Sequence, residues 1–337
     1  MKILLIGGPG NISRGTVDAL LARGDEAFIL ARQIGEKSAR YPDVRFIEGD
    51  RNDVDAMRHA LELSGAEHVL DTVCFEPKQA EQLYEALKGR IRQLIVYSTV
   101  DVCGYPLSRL PMGERDPAVP ATPGYAQNKV LMERTLMDRY EQEGFPVCIG
   151  RPSLSIGPDF CPMMFVDWGF QAVPRIRAGM PLLIPGDGNG LMHVGWGYDV
   201  GRMTASMLGD EKTAGKTYTL SAPEAILRDD YVSLFEQVIG KKADRVHVPA
   251  DYLAAFPGVA EIGSIPHLYR YDMAFSMIAF RTDFPDYQWR PLRDGVEEFI
   301  RENDRRKRFP TPAQDTLEDR IIRTWRGWEE VTGRFIR

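Results

Sequence analysis

A tyrosine and a lysine stand four residues apart in the segment Tyr125-Ala126-Gln127-Asn128-Lys129. On a helix this spacing places both side chains on one face, and Pro123-Gly124 just upstream is typical of a helix start. A tyrosine has an ordinary pKa of about 10, and a nearby ammonium stabilises the phenolate and lowers that value. The pair therefore predicts a general acid and base in Tyr125, tuned by Lys129.

A second chemical signal lies at residues 5–15, which read Leu-Ile-Gly-Gly-Pro-Gly-Asn-Ile-Ser-Arg-Gly. An apolar strand breaks there into glycines and then into a helix, which is how a chain presents backbone N–H groups and a helix dipole to a pyrophosphate. Ser13 replaces the third glycine of the usual pattern. Together with the Tyr–Lys pair, the turn favours hydride chemistry on an alcohol or carbonyl. The predicted dinucleotide contacts in this turn are Gly7, Gly10, Asn11 and Ile12.

The end of the predicted second strand, residues 26–31, bears on which dinucleotide is bound. A carboxylate at this point accepts hydrogen bonds from the ribose hydroxyls of NAD. Ala31 occupies that place, and Arg32 follows it. Because a guanidinium forms charge-assisted bonds to phosphate, the exchange favours NADP over NAD, with Arg14 as a second phosphate contact. Asp50, after the third strand, is a predicted adenine contact.

Strand-like and helix-like segments alternate through the first half of the chain. The alternation predicts an α/β fold with a doubly wound parallel sheet (Rossmann) and helices on both faces. One apolar strand ends at Ser98-Thr99, which would put a hydroxyl at the carboxyl edge of the sheet, where such folds bind ligands. The predicted strands are residues 2–6, 26–31, 44–47, 68–73, 92–97 and 146–150, and the predicted helices are residues 16–23, 53–64, 77–88 and 125–143.

After Gly150 the composition changes to short segments rich in proline, glycine, methionine and tryptophan. We assign residues 1–150 to a dinucleotide-binding domain. Residues 151–315 form a smaller, irregular α/β substrate-binding lobe with segments that return to the first domain, and residues 316–337 form a C-terminal helical tail.

The composition is that of a globular protein, and it narrows the possible partners. Hydrophobic residues make up 44% and charged residues 27% of the 337 residues, and the formal net charge is −6. A negative chain is a poor general nucleic-acid binder. Scattered cysteines without CxxC spacing predict neither a metal site nor a disulfide framework. We expect a cytoplasmic protein, because no apolar stretch approaches the roughly 20 residues that span a bilayer and no signal peptide opens the chain.

These motifs together resemble the short-chain dehydrogenase/reductase superfamily, in the extended or atypical branch that contains NAD(P)-dependent sugar epimerases and dehydratases. The resemblance covers most of the chain. Its further landmarks are Gly49-Asp50, Tyr97-Ser98-Thr99, Glu133, Arg151-Pro152-Ser153-Leu154-Ser155-Ile156-Gly157-Pro158, Ile184-Pro185-Gly186-Asp187-Gly188-Asn189 and Tyr198-Asp199-Val200.

The resemblance implies roles for three residues. Thr99 takes the place of the family's catalytic serine or threonine, and Tyr125 takes the place of its acid and base. Lys129 takes the place of the residue that binds the nicotinamide ribose. The resemblance also implies a homodimer, formed through a helix bundle that includes the Tyr125 helix.

Two departures from the family pattern limit which reactions and substrate contacts are expected. Sugar-nucleotide dehydratases carry an Asp-Glu pair directly after the threonine, where this chain has Val100 and Asp101. Valine cannot donate a proton, so 4,6-dehydration is not expected. Cys103 stands in place of the family's aromatic residue before glycine, which alters the surface available for substrate stacking.

Three functions are consistent with these residues. The preferred one is an epimerase of a sugar or sugar nucleotide, which oxidises a ring hydroxyl transiently and returns the hydride to the other face. The first alternative is an NADP-dependent reductase or dehydrogenase of a small carbonyl substrate, which uses the same groups and releases the cofactor. The second is an RNA-associated or regulatory binding protein that keeps the cofactor fold, motivated by the basic run Arg305-Arg306-Lys307-Arg308.

Several further residues are candidates for the substrate pocket. Arg175 and Arg177 carry charge that suits a diphosphate, whereas His193 is also typical of a hydrogen-bonded structural residue. Methionine and tryptophan are typical of core packing as well as of pockets. The remaining candidates are Phe75, Ser98, Arg151, Pro162, Met163, Met164 and Trp168.

Overall fold

Helices and strands alternate along the chain, and the computed structural model describes residues 1–119, 124–162, 170–259 and 268–333. The strands are β1 (Lys2–Ile6), β2 (Glu26–Ala31), β3 (Arg45–Glu48), β4 (His68–Asp71), β5 (Gln93–Tyr97), β6 (Val147–Pro152), β7 (Leu154–Ile156), β8 (Pro181–Pro185), β9 (Leu191–Met192), β10 (Val194–Trp196), β11 (Thr217–Leu220), β12 (Ile226–Leu227) and β13 (Asp244–Val248). The helices are α1 (Ser13–Ala22), α2 (Gly35–Arg40), α3 (Val54–Ser64), α4 (Pro77–Leu87), α5 (Tyr125–Glu143), α6 (Ala172–Ala178), α7 (Gly197–Met207), α8 (Arg228–Ile239), α9 (Ala250–Ala255), α10 (Ile278–Asp283), α11 (Leu292–Arg305) and α12 (Leu317–Gly333).

A seven-stranded parallel sheet of order β11-β6-β5-β4-β1-β2-β3 forms the centre of the first half. In β1, Leu4 and Ile6 pack into the apolar cluster on one face of the sheet, and Ile3 and Leu5 pack into the cluster on the other. All four side chains are fully buried, and each such burial contributes about 1.5–3 kcal/mol. The prediction of a doubly wound α/β fold is confirmed.

The strand order creates a switch point between β1 and β4. From β1 the chain winds outward to β2 and β3, and from β4 it winds the other way to β5 and β6. The loops that leave β1 and β4 therefore diverge, and a crevice opens between them at the carboxyl edge of the sheet. The glycine turn after β1 and the segment after β4 meet at this crevice.

The second half of the chain completes the sheet and builds a smaller set of strand pairs. β11 joins β6 as the edge strand of the main sheet. β7 pairs with β10 and β8 pairs with β13, both in parallel, while β9 and β12 are antiparallel. At the C-terminus α12 buries Ile321 and Ile322. No helix in the described part of the chain is long and apolar enough to cross a bilayer.

Close packing between α1 and α7 explains why residue 15, which is not part of the expected glycine-rich pattern, is a glycine. The sequence pattern placed Ser13 where a packing glycine is usual. In the structure, a Cβ on Gly15 would lie 2.0 Å from the carbonyl oxygen of Tyr198. A Cβ on Gly201 would lie 2.3 Å from the carbonyl oxygen of Ile12. Gly15 therefore fits α1 against α7, a helix that the local sequence pattern does not reveal.

Gly15→Ala should lower the stability of the fold. Its methyl would meet the Tyr198 carbonyl, and overpacking of this kind costs about 1–3 kcal/mol. Gly327→Ala in α12 is the control, since a Cβ there meets nothing within 4 Å, and alanine in a helix is favoured by up to about 1 kcal/mol. Thermal unfolding followed by circular dichroism measures both variants. Equal shifts of Tm in the same direction would contradict the packing role of Gly15.

Candidate functional site

A cleft of about 650 Å³ opens at the switch point of the sheet. It is lined by the turn after β1, the segments after β2 and β3, and the segment from β4 into α4. The predicted cofactor residues Gly7, Arg32 and Asp50 are part of its wall. The full lining is Gly7, Gly8, Leu30, Ala31, Arg32, Gln33, Gly49, Asp50, Arg51, Asn52, Val73, Phe75 and Gln79.

The turn after β1 brings main chain, without side chains, to the cleft. Gly7 and Gly8 have φ values of +83° and +102°, a region that favours glycine. The Gly7 amide donates to the carbonyl of Leu30 at 3.0 Å. A Cβ on Gly7 would lie 2.8 Å from the methyl carbons of Val73, so the cradle has no room for a side chain. A backbone cradle beside the N-terminus of α1 fits the pyrophosphate of a dinucleotide.

The other predicted turn residues make their contacts behind the cleft. The Gly10 amide donates to Ser13 Oγ at 2.9 Å. The Asn11 side chain donates to the carbonyl of Ser155 at 2.8 Å, and Ile12 packs against an apolar cluster. These residues shape the turn, and their direct contact with a dinucleotide stays a prediction.

The arginines predicted at the rim of the cleft have different surroundings. Arg32 is exposed, and no ion pair holds it among the residues that the structure describes. Nearby, Asp50 Oδ1 accepts a hydrogen bond from the Asn52 amide at 2.9 Å. Arg14 is 7% exposed, and its guanidinium donates two hydrogen bonds to Glu298. The prediction that Arg14 binds a phosphate at this rim is wrong, because a carboxylate already neutralises its charge away from the cleft.

A buried ion pair beside the cleft was not predicted from the sequence. Arg51 is 8% exposed and donates to Asp71 Oδ2 at 2.6 Å, and Asp71 is fully buried. Burial disfavours the charged guanidinium, but the Asp71 carboxylate outweighs it and raises the pKa of Arg51. Removing either partner would leave an unpaired buried charge, which is costly. The signal available in the sequence is an arginine directly after Gly49-Asp50.

Lys129 is 1% exposed, and its ammonium forms hydrogen bonds with the last residue of β5 and with the segment that follows β4. Nζ donates to the carbonyl of Tyr97 at 2.6 Å and to the carbonyl of Cys74 at 2.7 Å. The ring of Phe75 covers the ammonium, with 4.6 Å between Nζ and the ring centroid. Burial lowers the pKa of Lys129 to about 8. An ammonium has three donors, and main-chain carbonyls accept from two of them.

Tyr125 opens α5 and is 51% exposed, so a ligand can reach it. Burial of the phenol oxygen and the Asp101 carboxylate raise the pKa of Tyr125 to about 12, while a hydrogen bond with Thr99 lowers it. Nζ of Lys129 lies 5.8 Å from the Tyr125 ring centroid. The predicted lowering of the Tyr125 pKa is wrong, because burial and the Asp101 carboxylate raise this pKa. Tyr125 therefore keeps its proton at neutral pH.

Two hydroxyls follow β5 at the same edge of the sheet. Thr99 is 8% exposed, and its Oγ1 accepts a hydrogen bond from the Asp101 amide at 3.2 Å. Ser98 Oγ is buried and has no partner among the described residues. Burial raises the pKa of Asp101, and the Tyr105 hydroxyl donates to its Oδ1 at 3.1 Å. The hydroxyl, the phenol and the ammonium therefore meet at one edge of the sheet.

The predicted substrate contacts Phe75 and Arg151 lie in different environments. Phe75 is 45% exposed on the wall of the cleft, with its ring 6.4 Å from that of Tyr125. Arg151 is turned into the protein, where Nε and Nη2 donate to the Glu133 carboxylate at 2.9 and 2.6 Å. This pair neutralises the charge of Arg151, so the structure does not support a substrate contact by that residue.

Arg175 and His193 belong to the interior of the second half. Arg175 is 1% exposed and donates to Asp319 at 2.7 Å. His193 Nδ1 accepts from the Phe275 amide at 3.0 Å, and Nε2 lies 2.9 Å from the carbonyl of Ala222. Burial lowers the pKa of His193, which keeps the ring neutral. The structure brings neither side chain to the cleft.

The remaining candidates add no group to the site. Arg177 pairs at the surface with Asp304 at 2.7 Å. Pro162 is buried. Across the described ranges, no group of three or more His, Cys, Asp or Glu residues is arranged to hold a metal ion. Three predicted pocket residues lie outside the described residues: Met163, Met164 and Trp168.

Comparison with known proteins gives one family and a set of distant relatives. The model of the NAD dependent epimerase/dehydratase family matches residues 3–221. The 2'-dehydrokanamycin reductase of Streptomyces kanamyceticus is 24% identical over 293 residues, which cover 86% of this chain and 81% of the relative.

Solved structures share the fold at lower identity. The dTDP-glucose 4,6-dehydratase from Bacillus anthracis, in complex with NAD, has a TM-score of 0.72 at 18% identity, covering 93% of this chain and 99% of that chain. The UDP-glucuronic acid 4-epimerase from Bacillus cereus, in complex with UDP-glucuronic acid and NAD, has a TM-score of 0.70 at 21% identity. The match covers 90% of this chain and 99% of that chain. These likenesses support the fold assignment.

Lys129 should titrate near pH 8, well below the ordinary lysine value of 10.5, because burial penalises the charged ammonium. NMR of protein labelled with ¹³C at the lysine ε-carbons measures this titration. The resonance that moves near pH 8 should be missing in Lys129→Met. A wild-type protein in which every lysine titrates above pH 10 would contradict the expected environment.

Proposed function

Because the chain belongs to the NAD-dependent epimerase/dehydratase family, we propose that it is an NADP-dependent reductase that converts a ketone of a sugar-type substrate to an alcohol. The observation that carries the proposal is the meeting of Tyr125, Thr99 and Lys129 beside the cleft. Tyr125 holds a proton at neutral pH. The oxygen of a ketone needs that proton when its carbon accepts a hydride.

The residues of the cleft fit a nicotinamide dinucleotide. The Gly7 and Gly8 cradle suits the pyrophosphate, and Asp50 lies on the same wall for the adenosine. The remaining donor of Lys129 suits the hydroxyls of the nicotinamide ribose. When bound, the dinucleotide supplies the hydride.

Arg32 supports NADP as the dinucleotide. Ala31 leaves no carboxylate at the end of β2, and the exposed Arg32 side chain lines the same cleft. A guanidinium with no ion-pair partner in the described part of the chain is available to bind a 2'-phosphate with charge-assisted hydrogen bonds.

Proton transfer falls to Tyr125 and its neighbours. Tyr125 donates the phenolic proton to the substrate oxygen, while the Thr99 hydroxyl donates a hydrogen bond to the same atom. The phenolate then regains a proton from water, which reaches Tyr125 because this residue is 51% exposed. Val100 supplies no second proton donor, so elimination of water is not proposed.

The comparisons support the reaction and the substrate class separately. One relative, which matches 86% of this chain, is a 2'-dehydrokanamycin reductase. A structure with the same fold binds UDP-glucuronic acid. We therefore propose a carbonyl group on a sugar or sugar nucleotide as the substrate.

Epimerisation is the second candidate, and the match of residues 3–221 to an epimerase/dehydratase family model favours it. It needs the same phenol and hydroxyl, which take the proton from one oxygen and return it. It differs from net reduction because the dinucleotide stays bound between turnovers. Native mass spectrometry separates the two, since a dinucleotide retained at full occupancy supports the epimerase and an empty protein supports the reductase.

An RNA-associated role is not proposed, because Glu302 and Asp159 pair with three of the four cationic residues in the basic run that motivated it. Arg305 pairs with Glu302 at 2.8 Å. Arg306 and Arg308 pair with Asp159 at 3.2 and 2.5 Å. Binding to a phosphate backbone depends on cationic groups that are free to displace counterions.

Tyr125→Phe should abolish turnover while leaving the dinucleotide in place. Loss of the proton donor lowers kcat by at least about 100-fold, the usual contribution of a general acid. The assay follows NADPH consumption with a panel of keto sugars, and fluorescence titration gives the Kd of NADPH. Tyr140→Phe, on the same helix, is the control and should keep full activity. Normal kcat in Tyr125→Phe would remove this residue from the mechanism.

Arg32→Ala should weaken NADPH binding and spare NADH. Loss of charge-assisted bonds to the 2'-phosphate raises the Kd of NADPH by about 10-fold to 100-fold, since such bonds contribute about 1.5–3 kcal/mol. Arg45→Ala, at an exposed arginine that does not line the cleft, is the matched control. Tighter binding of NADH than of NADPH by the wild-type protein would overturn the preference for NADP.

A further inference from the structure

Residues of the second half of the chain contact the glycine turn on the side away from the cleft. The turn in question is residues 11–15, which follow the cradle glycines. The Asn11 side-chain nitrogen Nδ2 donates to the carbonyl of Ser155 at 2.8 Å. A Cβ on Gly157 would lie 2.0 Å from Asn11 Oδ1, and a Cβ on Gly197 would lie 2.8 Å from the Asn11 carbonyl oxygen. Glycine at these two positions therefore lets the turn lie directly against the second half.

A buried ion pair also connects the second half of the chain to this turn. Glu298 of α11 accepts hydrogen bonds from both terminal nitrogens of Arg14. The two residues are 7% and 8% exposed. Trp196 Nε1 also donates to Glu298 Oε2 at 2.7 Å, and the Tyr198 ring centroid lies 5.4 Å from the Arg14 guanidinium. The pair is desolvated, so loss of one partner leaves an uncompensated buried charge.

Arg14 connects this carboxylate to the main chain of the turn. Its Nε donates to the carbonyl of Asn11 at 3.3 Å, and its own amide donates to the carbonyl of Gly10 at 3.2 Å. In dinucleotide sites of this kind, the amides at the turn and at the N-terminus of the following helix face the pyrophosphate. Their direction therefore depends on where Arg14 is held. Glu298 does not line the cleft, so any effect it has on a ligand passes through Arg14.

We propose that Glu298 is a positioning residue for dinucleotide binding. Through Arg14 it fixes the pyrophosphate-binding turn, so the substrate-binding half of the chain sets the affinity of the first half for the dinucleotide. This inference rests on the proposed function, since it concerns the same cleft.

Glu298→Gln tests the inference, because it keeps the side-chain volume and removes the charge. Fluorescence titration should show the Kd of NADPH rising roughly tenfold, within the range of coupling between distant sites. Adenosine 2'-monophosphate carries the 2'-phosphate but no pyrophosphate. Its Kd, measured by calorimetry, should change less than twofold. Glu297→Gln, at the exposed neighbouring position on the same helix, should change neither value.

Gly157→Ala is a second variant, which disturbs the turn without changing any charge. Its methyl would displace the Asn11 side chain, so the same pattern is expected, with weaker NADPH binding and unchanged binding of adenosine 2'-monophosphate. Circular dichroism of both variants establishes that they fold, and either variant alone is enough for the test.

The outcomes separate this inference from the proposed function. If the wild-type protein binds neither NADPH nor NADH, both fail. If the wild-type protein binds NADPH and Glu298→Gln binds it equally well, only the role of Glu298 fails. Tighter binding by Glu298→Gln would mean that the carboxylate merely withholds Arg14 from the pyrophosphate, and equal weakening of both ligands would mean a general loss of structure. Each of these results overturns the positioning role.

Discussion

The hydrogen bonds of the Lys129 ammonium are the interaction on which the candidate site depends. They join α5 to the main chain at Tyr97, the last residue of β5, and at Cys74 in the segment that follows β4. A buried ammonium without such acceptors would be strongly unfavourable, so the two carbonyls determine where the first turn of α5 lies. That turn also carries Tyr125, and its position relative to Thr99 follows from the same contacts.

The surroundings of Tyr125 decide what kind of acid the site contains. Burial and the Asp101 carboxylate raise the pKa of its phenol to about 12. A phenol that keeps its proton is ready to donate to a ketone oxygen. A protonated phenol agrees with the reductive direction that we propose, in which hydride and proton are both delivered to the substrate.

Ion pairing sorts the arginines of the chain into structural and available groups. Arg14, Arg51 and Arg151 are each drawn into the protein by a buried carboxylate. Arg32 lines the cleft with no such partner in the described ranges. The carboxylate partner of Arg14 is 284 residues away and that of Arg51 is 20 residues away. No local pattern distinguishes a paired arginine from a free one. For this reason the sequence predicted Arg14 as a phosphate contact and did not reveal the ion pair of Arg51.

The sequence by itself determined the features that depend on neighbours within a few residues. Continuous apolar runs predicted six of the seven strands of the sheet, the glycines after β1 predicted the turn, and the four-residue spacing of Tyr125 and Lys129 predicted a pair on one helix. The tertiary structure alone decided the partners of the charged groups, the contacts of Asn11 and the pKa of Tyr125. These depend on burial and on groups far away in the chain, because the electrostatic energy of a side chain is set by the atoms that surround it in space.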